Sequence, residues 1–286
     1  MSQISDHLIR DLQRVQVPDK SASPALKVHK IKVMSADGIG ANVFITGANR
    51  GIGLGLVKEI VKLHGVNNIF AGCREPSSAK DLKELEKSTH SIVKMVQIDV
   101  QDDQSIKAAF DEVSKSLGKN GALNLLINNS GIFKNKGVSV EKPDRSAFSE
   151  TFDVNTIGAV MTTAAFLPLT CQAGTSNQPA KIVNISSMIS STFDIQSTKK
   201  ITDGNIVYGM SKAALNHYTK ALAGDVKEYN VMVIAICPGW VRTDMGGPEA
   251  ALSVDESVFA IVKLIAGLKE DQSGAYLDRF GKPIAF

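Results

Sequence analysis

Val43-Phe44-Ile45-Thr46-Gly47-Ala48-Asn49-Arg50-Gly51-Ile52-Gly53 sets three elements in a row: an apolar run, a turn carrying three glycines, and the start of a helix near Ile52. A short apolar run that leads straight into a helical pattern is how a parallel strand and its crossover helix are written in sequence. The glycines let the backbone turn tightly and approach a pyrophosphate, while the helix amino terminus offers free N–H groups and the positive end of the helix dipole. The stretch therefore reads as a dinucleotide turn, with Gly47, Asn49, Arg50, Gly51, Ile52 and Gly53 as its contact residues. Ordinary turn chemistry would also use glycines, but it does not require a strand before them and a helix after them.

Working outward, the alternation continues from Ala41 to Phe286. Strand candidates are Asn42–Ile45, Asn68–Gly72, Ile92–Ile98, Leu123–Asn128, Lys181–Ile185, Val231–Ile236 and Ala275–Leu277. Helical patterns lie between them near 52–64, 77–88, 103–117, 145–172, 205–229 and 254–268. The spacing predicts a single α/β domain over 41–286, a Rossmann-like doubly wound parallel sheet of about seven strands with helices on both faces. Residues 1–40 differ in character. Leu8, Ile9, Leu12 and Val15 mark a short amphipathic segment, and a Ser/Pro linker follows from Ser21 to Pro24. Asp6, Asp11 and Asp19 make this segment too acidic for a mitochondrial presequence, so it reads as a docking or partly disordered extension.

Composition narrows the function classes. At 286 residues and 43% hydrophobic content the chain can bury one large core. Its 32 basic and 29 acidic residues leave a net charge of only +3, and no Lys/Arg block interleaved with aromatics suggests a nucleic-acid surface. Cys73, Cys171 and Cys237 are odd in number and scattered through apolar segments, as reduced thiols of a cytoplasmic protein would be. Neither they nor the histidines have metal-ligand spacing, and no metal is expected. With no run of about 18 apolar residues and no secretory h-region, neither a membrane partner nor export is expected.

Tyr208 and Lys212 leave one face of the 205–229 helical pattern a turn apart. An ammonium beside a phenol lowers the phenol's pKa from about 10, which would make Tyr208 an acid/base. The same spacing is also what a helix edge with a snorkelling lysine produces. The choice of dinucleotide turns on the end of the second strand, where an acidic residue binds a ribose 2′-OH and a basic one accommodates a 2′-phosphate. Cys73-Arg74 occupies that end, with no carboxylate until Glu75. Arg74 and Arg50 point to NADP(H), gripping the phosphate as a guanidinium pair. Glu75, next to Arg74, is discordant with that reading.

Thr46 to Gly53 (Thr-Gly-x-x-x-Gly-x-Gly), Asn128-Asn129-Ser130-Gly131 and Tyr208-x-x-x-Lys212, in this order, resemble the short-chain dehydrogenase/reductase family over about residues 41–286. Ser130 stands where the family usually has Ala. The resemblance implies that Asp99 and Val100 contact the adenine and that Asn128 borders the adenosine ribose, with Ser130 and Gly131 completing that wall. It implies a catalytic set of Asn155, Ser187, Tyr208 and Lys212, with the adjacent Ser186 structural. It also implies that Lys212 binds the nicotinamide ribose and that Asn155 positions a relay water. In Pro238-Gly239-Trp240-Val241-Arg242-Thr243, Pro238, Gly239, Val241 and Thr243 are implied to line the nicotinamide side.

Within the family, the glycine turn, Cys73-Arg74, Pro238–Gly247 and Asp278–Phe286 are similar to Sniffer-type NADPH-dependent carbonyl reductases. This implies reduction of a small-molecule aldehyde, ketone or quinone. An oxidative NAD(P)-dependent alcohol or steroid dehydrogenase and a non-catalytic NADP(H) sensor are the alternatives. Specificity is expected from the segment between Ser187 and Tyr208, with Phe193, Ile195 and Ile201, and from the loop through Gly246-Gly247-Pro248. By resemblance the 145–172 and 205–229 helices would build a homodimer or homotetramer.

Overall fold

A computed structural model describes residues 36–134, 138–174, 178–193 and 205–286. The readings made for the extension up to residue 35, and for Ile195 and Ile201, lie outside the described residues. Seven strands form one sheet: β1 (Asn42–Ile45), β2 (Asn68–Cys73), β3 (Val93–Gln97), β4 (Leu125–Asn128), β5 (Ala180–Ile185), β6 (Val231–Cys237) and β7 (Tyr276–Asp278). Every pairing is parallel, in the order β3-β2-β1-β4-β5-β6-β7. Register is set from the middle, where Val43 pairs with Ile69 on one side and Leu125 on the other.

The strands are apolar runs because both faces are covered. Along β1, Val43 and Ile45 enter one core and Phe44 the other. The first core packs under α1 (Gly51–Ile60), α2 (Lys80–Ser88) and α7 (Val254–Ala266), with Leu56, Leu82 and Ile261 fully buried. The second packs under α3 (Asp103–Leu117), α5 (Gly158–Ala173) and α6 (Ile206–Asp225); there Phe166 stacks against Phe44 at 4.4 Å. This is the doubly wound arrangement the sequence predicts.

One expected helix is interrupted. The 145–172 pattern begins as α4 (Arg145–Phe152), passes through a π turn over Asp153–Ile157, and resumes as α5. Such turns insert a residue into the ladder and free a main-chain carbonyl from its usual partner. By length and composition this stretch could cross a membrane, which a search for continuous apolar runs does not pick out, and 50% of its most apolar window is buried inside the fold. Burial over the sheet accounts for that part of its apolarity.

Strand order reverses between β1 and β4, so the crevice of the fold lies at the carboxyl ends of these strands. The residues singled out above fall on that edge: after β1, β2, β3, β4, β5 and β6, and on the helices that meet it.

Candidate active site

The glycine turn occupies the crevice between β1 and α1. Gly51 has φ +52°, a left-handed conformation that costs glycine nothing and a β-branched residue a great deal. At Gly53 a Cβ would lie 2.2 Å from the Gly47 carbonyl oxygen, so only glycine lets the helix start this close to its own turn. Asn49 and Arg50 are exposed, Gly47 and Ile52 half-buried. The first turn of α1 has no side-chain cap and no acidic residue. Its N–H groups are thereby left for an anion.

Two residues outside the expected set hold this turn in place. Thr46 Oγ1 accepts from the Asn129 and Ser130 N–H groups at 3.0 Å each, and Asn129 Nδ2 donates to the carbonyls of Thr46 and Gly47 at 2.9 and 3.1 Å. Both lie inside the recognised motifs, but the pairing spans 83 residues and no local spacing announces it.

On the adenosine side Arg74 is exposed and has no ion pair among the described residues. Arg50 differs from expectation: its Nη1 binds Asp244 Oδ2 at 3.0 Å, linking the glycine turn to the loop after β6. Of the two arginines, only Arg74 is unengaged. Val100 is buried, and Asp99 Oδ1 accepts from the Gln101 N–H at 3.1 Å. The Asn128 side chain faces inward. Its Nδ2 donates to Thr163 Oγ1 and Asn184 Oδ1, both at 2.8 Å, inside the core. Parallel-strand alternation turns it away from the crevice, leaving only its main chain to border a ribose.

Two of the other candidates, Asn155 and Lys212, meet beside Gly131. A Cβ there would lie 3.3 Å from Asn155 Oδ1 and 3.7 Å from Lys212 Nζ. Asn155 stands in the π turn, and its side chain is spent on structure: Oδ1 accepts from Ile132 N–H at 2.8 Å, and Nδ2 donates to the Ile132 carbonyl and Ser211 Oγ at 3.0 and 3.1 Å. Lys212 is buried and donates to the Ile185 carbonyl at 2.7 Å. Ser187 follows two residues later in the chain; its Oγ accepts from the Ile189 N–H at 3.4 Å and stands close enough to Tyr208 to act on the phenol. Ser186 instead donates to buried Asn216 at 2.6 Å, the structural role expected of it.

The electrostatics invert one expectation. Lys212 Nζ is 5.8 Å from the Tyr208 ring centroid and hydrogen-bonded to a carbonyl, and burial rather than this charge sets the direction in which the resting phenol is shifted. Burial pushes the Tyr208 phenol above its ordinary value, aided by nearby Cys237 and opposed by the Ser187 hydrogen bond. Burial also lowers Lys212 to about 8. Each group is driven toward its neutral form.

After β6, Pro238 and Val241 are buried, and Gly239 has φ +85°. Thr243 Oγ1 accepts from the Gly246 N–H at 3.1 Å, and its methyl faces Gly51, 3.3 Å from a Cβ placed there. This loop therefore stands against the glycine turn.

Residues 41–251 match the short chain dehydrogenase family. The chain belongs to that family of oxidoreductases. Among solved structures, the NADPH-bound carbonyl reductase from chicken fatty liver is 37% identical to this dehydrogenase, with a TM-score of 0.80 over 86% of this chain and 99% of that one. The carbonyl reductase Sniffer of Drosophila melanogaster is 34% identical, with a TM-score of 0.79 over 86% of this chain and 100% of that one. An uncharacterised oxidoreductase of Schizosaccharomyces pombe is 32% identical over 260 residues, covering 85% of this dehydrogenase and 97% of the yeast protein.

Proposed function

We propose that this dehydrogenase is an NADPH-dependent carbonyl reductase in which Tyr208 is the proton donor. The carrying observation is a chain of neighbours: Asn155 and Lys212 meet at Gly131, the Lys212 ammonium lies 5.8 Å from the Tyr208 ring, and Ser187 stands beside the phenol, on the same sheet edge as the uncapped start of α1. The residues fit a dinucleotide phosphate: a glycine turn packed tightly against the start of α1, open helix N–H groups, and an exposed Arg74 with no ion pair among the described residues. The chicken relative binds NADPH, which supports the same choice here.

The nicotinamide, when bound, supplies the hydride. Gly47 to Gly53 would hold the pyrophosphate, Arg74 the 2′-phosphate, Asp99 and Val100 the adenine, and Gly239 to Thr243 the nicotinamide side. Ser187 Oγ and Tyr208 Oη donate hydrogen bonds to the substrate carbonyl oxygen, where negative charge grows. Tyr208 Oη then gives that oxygen its proton. Lys212, cationic below about pH 8, stabilises the phenolate left behind and returns a proton to it. Because both ends of the Asn155 amide are already bonded, to Ile132 and Ser211, we assign the relay water to a main-chain carbonyl freed by the π turn.

A phenol held protonated is ready to donate to a carbonyl oxygen, and the NADPH-bound chicken carbonyl reductase supports reading the reaction in that direction. The rim is apolar: Phe133 meets Tyr208 edge-on at 5.3 Å, and Met188, Phe193 and Trp240 are exposed nearby in the chain. A hydrophobic carbonyl compound suits it. The test follows NADPH absorbance with a panel of aldehydes, ketones and quinones, for wild type and Tyr208→Phe. Oxidation by wild type and its loss by about 1000-fold in the variant is the expected result. Silence across the panel, or an unaffected Tyr208→Phe, overturns the proposal.

A further inference from the structure

Behind Ser187 lies a buried cluster of hydroxyls that the chemistry above does not use. Tyr276, on outer strand β7, is 1% exposed, and its hydroxyl donates to the Ser187 main-chain carbonyl at 2.6 Å. Ser190 Oγ donates to the same carbonyl at 2.6 Å, and the Ser190 N–H reaches it at 2.9 Å. The protons can be assigned without conflict. Ser190, having donated its own, accepts from Asn216 Nδ2 at 2.8 Å, and Asn216 Oδ1 accepts from Ser186 Oγ at 2.6 Å. Of the three donors to this carbonyl, two come from Ser190 in the same loop, so Tyr276 is the one that fastens the Ser187 backbone to a separate strand.

The arrangement is anchored from its far side as well. Ile284 packs on Tyr276, and the Phe286 ring lies 5.9 Å from the Tyr276 ring. Ser191 Oγ and Thr192 Oγ1 donate to the carbonyls of Ala285 and Phe286 at 2.6 and 3.0 Å. The last residues thus tie down both Tyr276 and the stretch that follows Ser187.

We propose that Tyr276 is a positioning residue of the active site: together with Ser190 it clamps the Ser187 carbonyl from β7 and so fixes the aim of the Ser187 hydroxyl. A serine hydroxyl turns freely about one bond, and what limits its reach is the placement of its own backbone. A clamp from a strand outside the crevice supplies that placement without touching the substrate. The inference rests on the carbonyl-reductase reading, since it assigns Ser187 a hydroxyl that must be aimed.

The experiment is a double-mutant cycle on the full chain with Tyr276→Phe, Ser187→Ala and the double variant, measuring kcat, KM, NADPH binding by fluorescence and hydrogen exchange of residues 186–192. Tyr276→Phe keeps the ring and removes one oxygen. It is expected to lower kcat about tenfold with KM and NADPH affinity unchanged, and to speed exchange across 186–192 with the rest of the sheet unmoved. In the Ser187→Ala background it should cost nothing further, because no hydroxyl remains to aim. Full additivity in the cycle, an unchanged kcat, or exchange in 186–192 no faster than in wild type would each overturn the inference. Should Tyr276→Phe fold poorly, Ser190→Ala carries the same test from the other donor. An inactive wild type removes the carbonyl-reductase reading and this one with it; an active wild type with an additive cycle removes only this one.

Discussion

Strand β5 has a buried lysine at each end, and the two are chemically alike. At its start Lys181 donates to the Gly38 carbonyl; at its finish Lys212, reaching in from α6, donates to the Ile185 carbonyl. Each is 3% exposed, and burial lowers each to about 8. Lys212 stands among Tyr208, Asn155 and Gly131, with Ser187 at hand. Lys181 is bonded instead to a turn ahead of β1, away from those residues. A perturbed lysine therefore marks no site by itself: the company at the carboxyl edge of the sheet does.

The largest effect should come from breaking this comparison directly. Lys212→Met is expected to lower kcat about 100- to 1000-fold, by removing the cation that stabilises the phenolate. Lys181→Met, an equal change of charge and burial, should alter kcat by less than about twofold. Steady-state kinetics of the two variants side by side decides it. Comparable losses would mean that both lysines act through the stability of the sheet, and the separation of the two edges would fall.

How much of that separation was legible in the sequence varies along the chain. β1 falls on the expected residues, and the other strands begin or end within about two positions of them, because parallel strands covered on both faces must be apolar runs. The glycine turn could be read for the same reason: its chemistry is local. What escaped depends on distant partners. The Arg50–Asp244 bridge joins residues 194 apart, the Tyr276–Ser187 bond residues 89 apart, and the Asn155–Ser211 bond residues 56 apart. That the Asn128 amide faces inward is set by strand alternation, which residue type alone does not show. Lys212 was expected to acidify Tyr208, and only the observed geometry shows its ammonium turned to a carbonyl.

A second contrast lies within the carboxyl edge, between an engaged arginine and an unengaged one. Arg74→Asp should shift the ratio of kcat/KM for NADPH over NADH by about 10- to 100-fold toward NADH, since it replaces the phosphate's partner with a ribose-binding carboxylate. Arg50→Ala should shift it less, because its guanidinium is shared with Asp244. Equal shifts would show that Asp244 yields Arg50 without cost.

The pH dependence of activity sharpens the comparison further. Lys212 is cationic below about 8 and neutral above it, so carbonyl reduction should decline as pH rises past that value, by up to about tenfold per unit. Tyr208, held above its ordinary value, stays protonated across this range and contributes no fall of its own. The profile of Lys181→Met should overlay that of wild type. A decline lost in Lys181→Met would assign it to the wrong end of the strand.

Stability should respond in the opposite sense, and here Lys181 is the informative residue. Its folded value, about 8, lies below the 10.5 of a free lysine. Between these values the unfolded chain binds more protons than the folded one, so the contribution of Lys181 to stability rises with pH across that window. Removing the amine removes that rise. Wild type should therefore gain on Lys181→Met between pH 7 and pH 9.5, by about 4 °C in Tm. The tyrosines raised by burial do not confuse this interval, because they titrate above it in both proteins. Scanning calorimetry of the pair at the two pH values reads the difference directly. A constant gap would mean that water reaches the amine and that the two ends of β5 are not electrostatically alike.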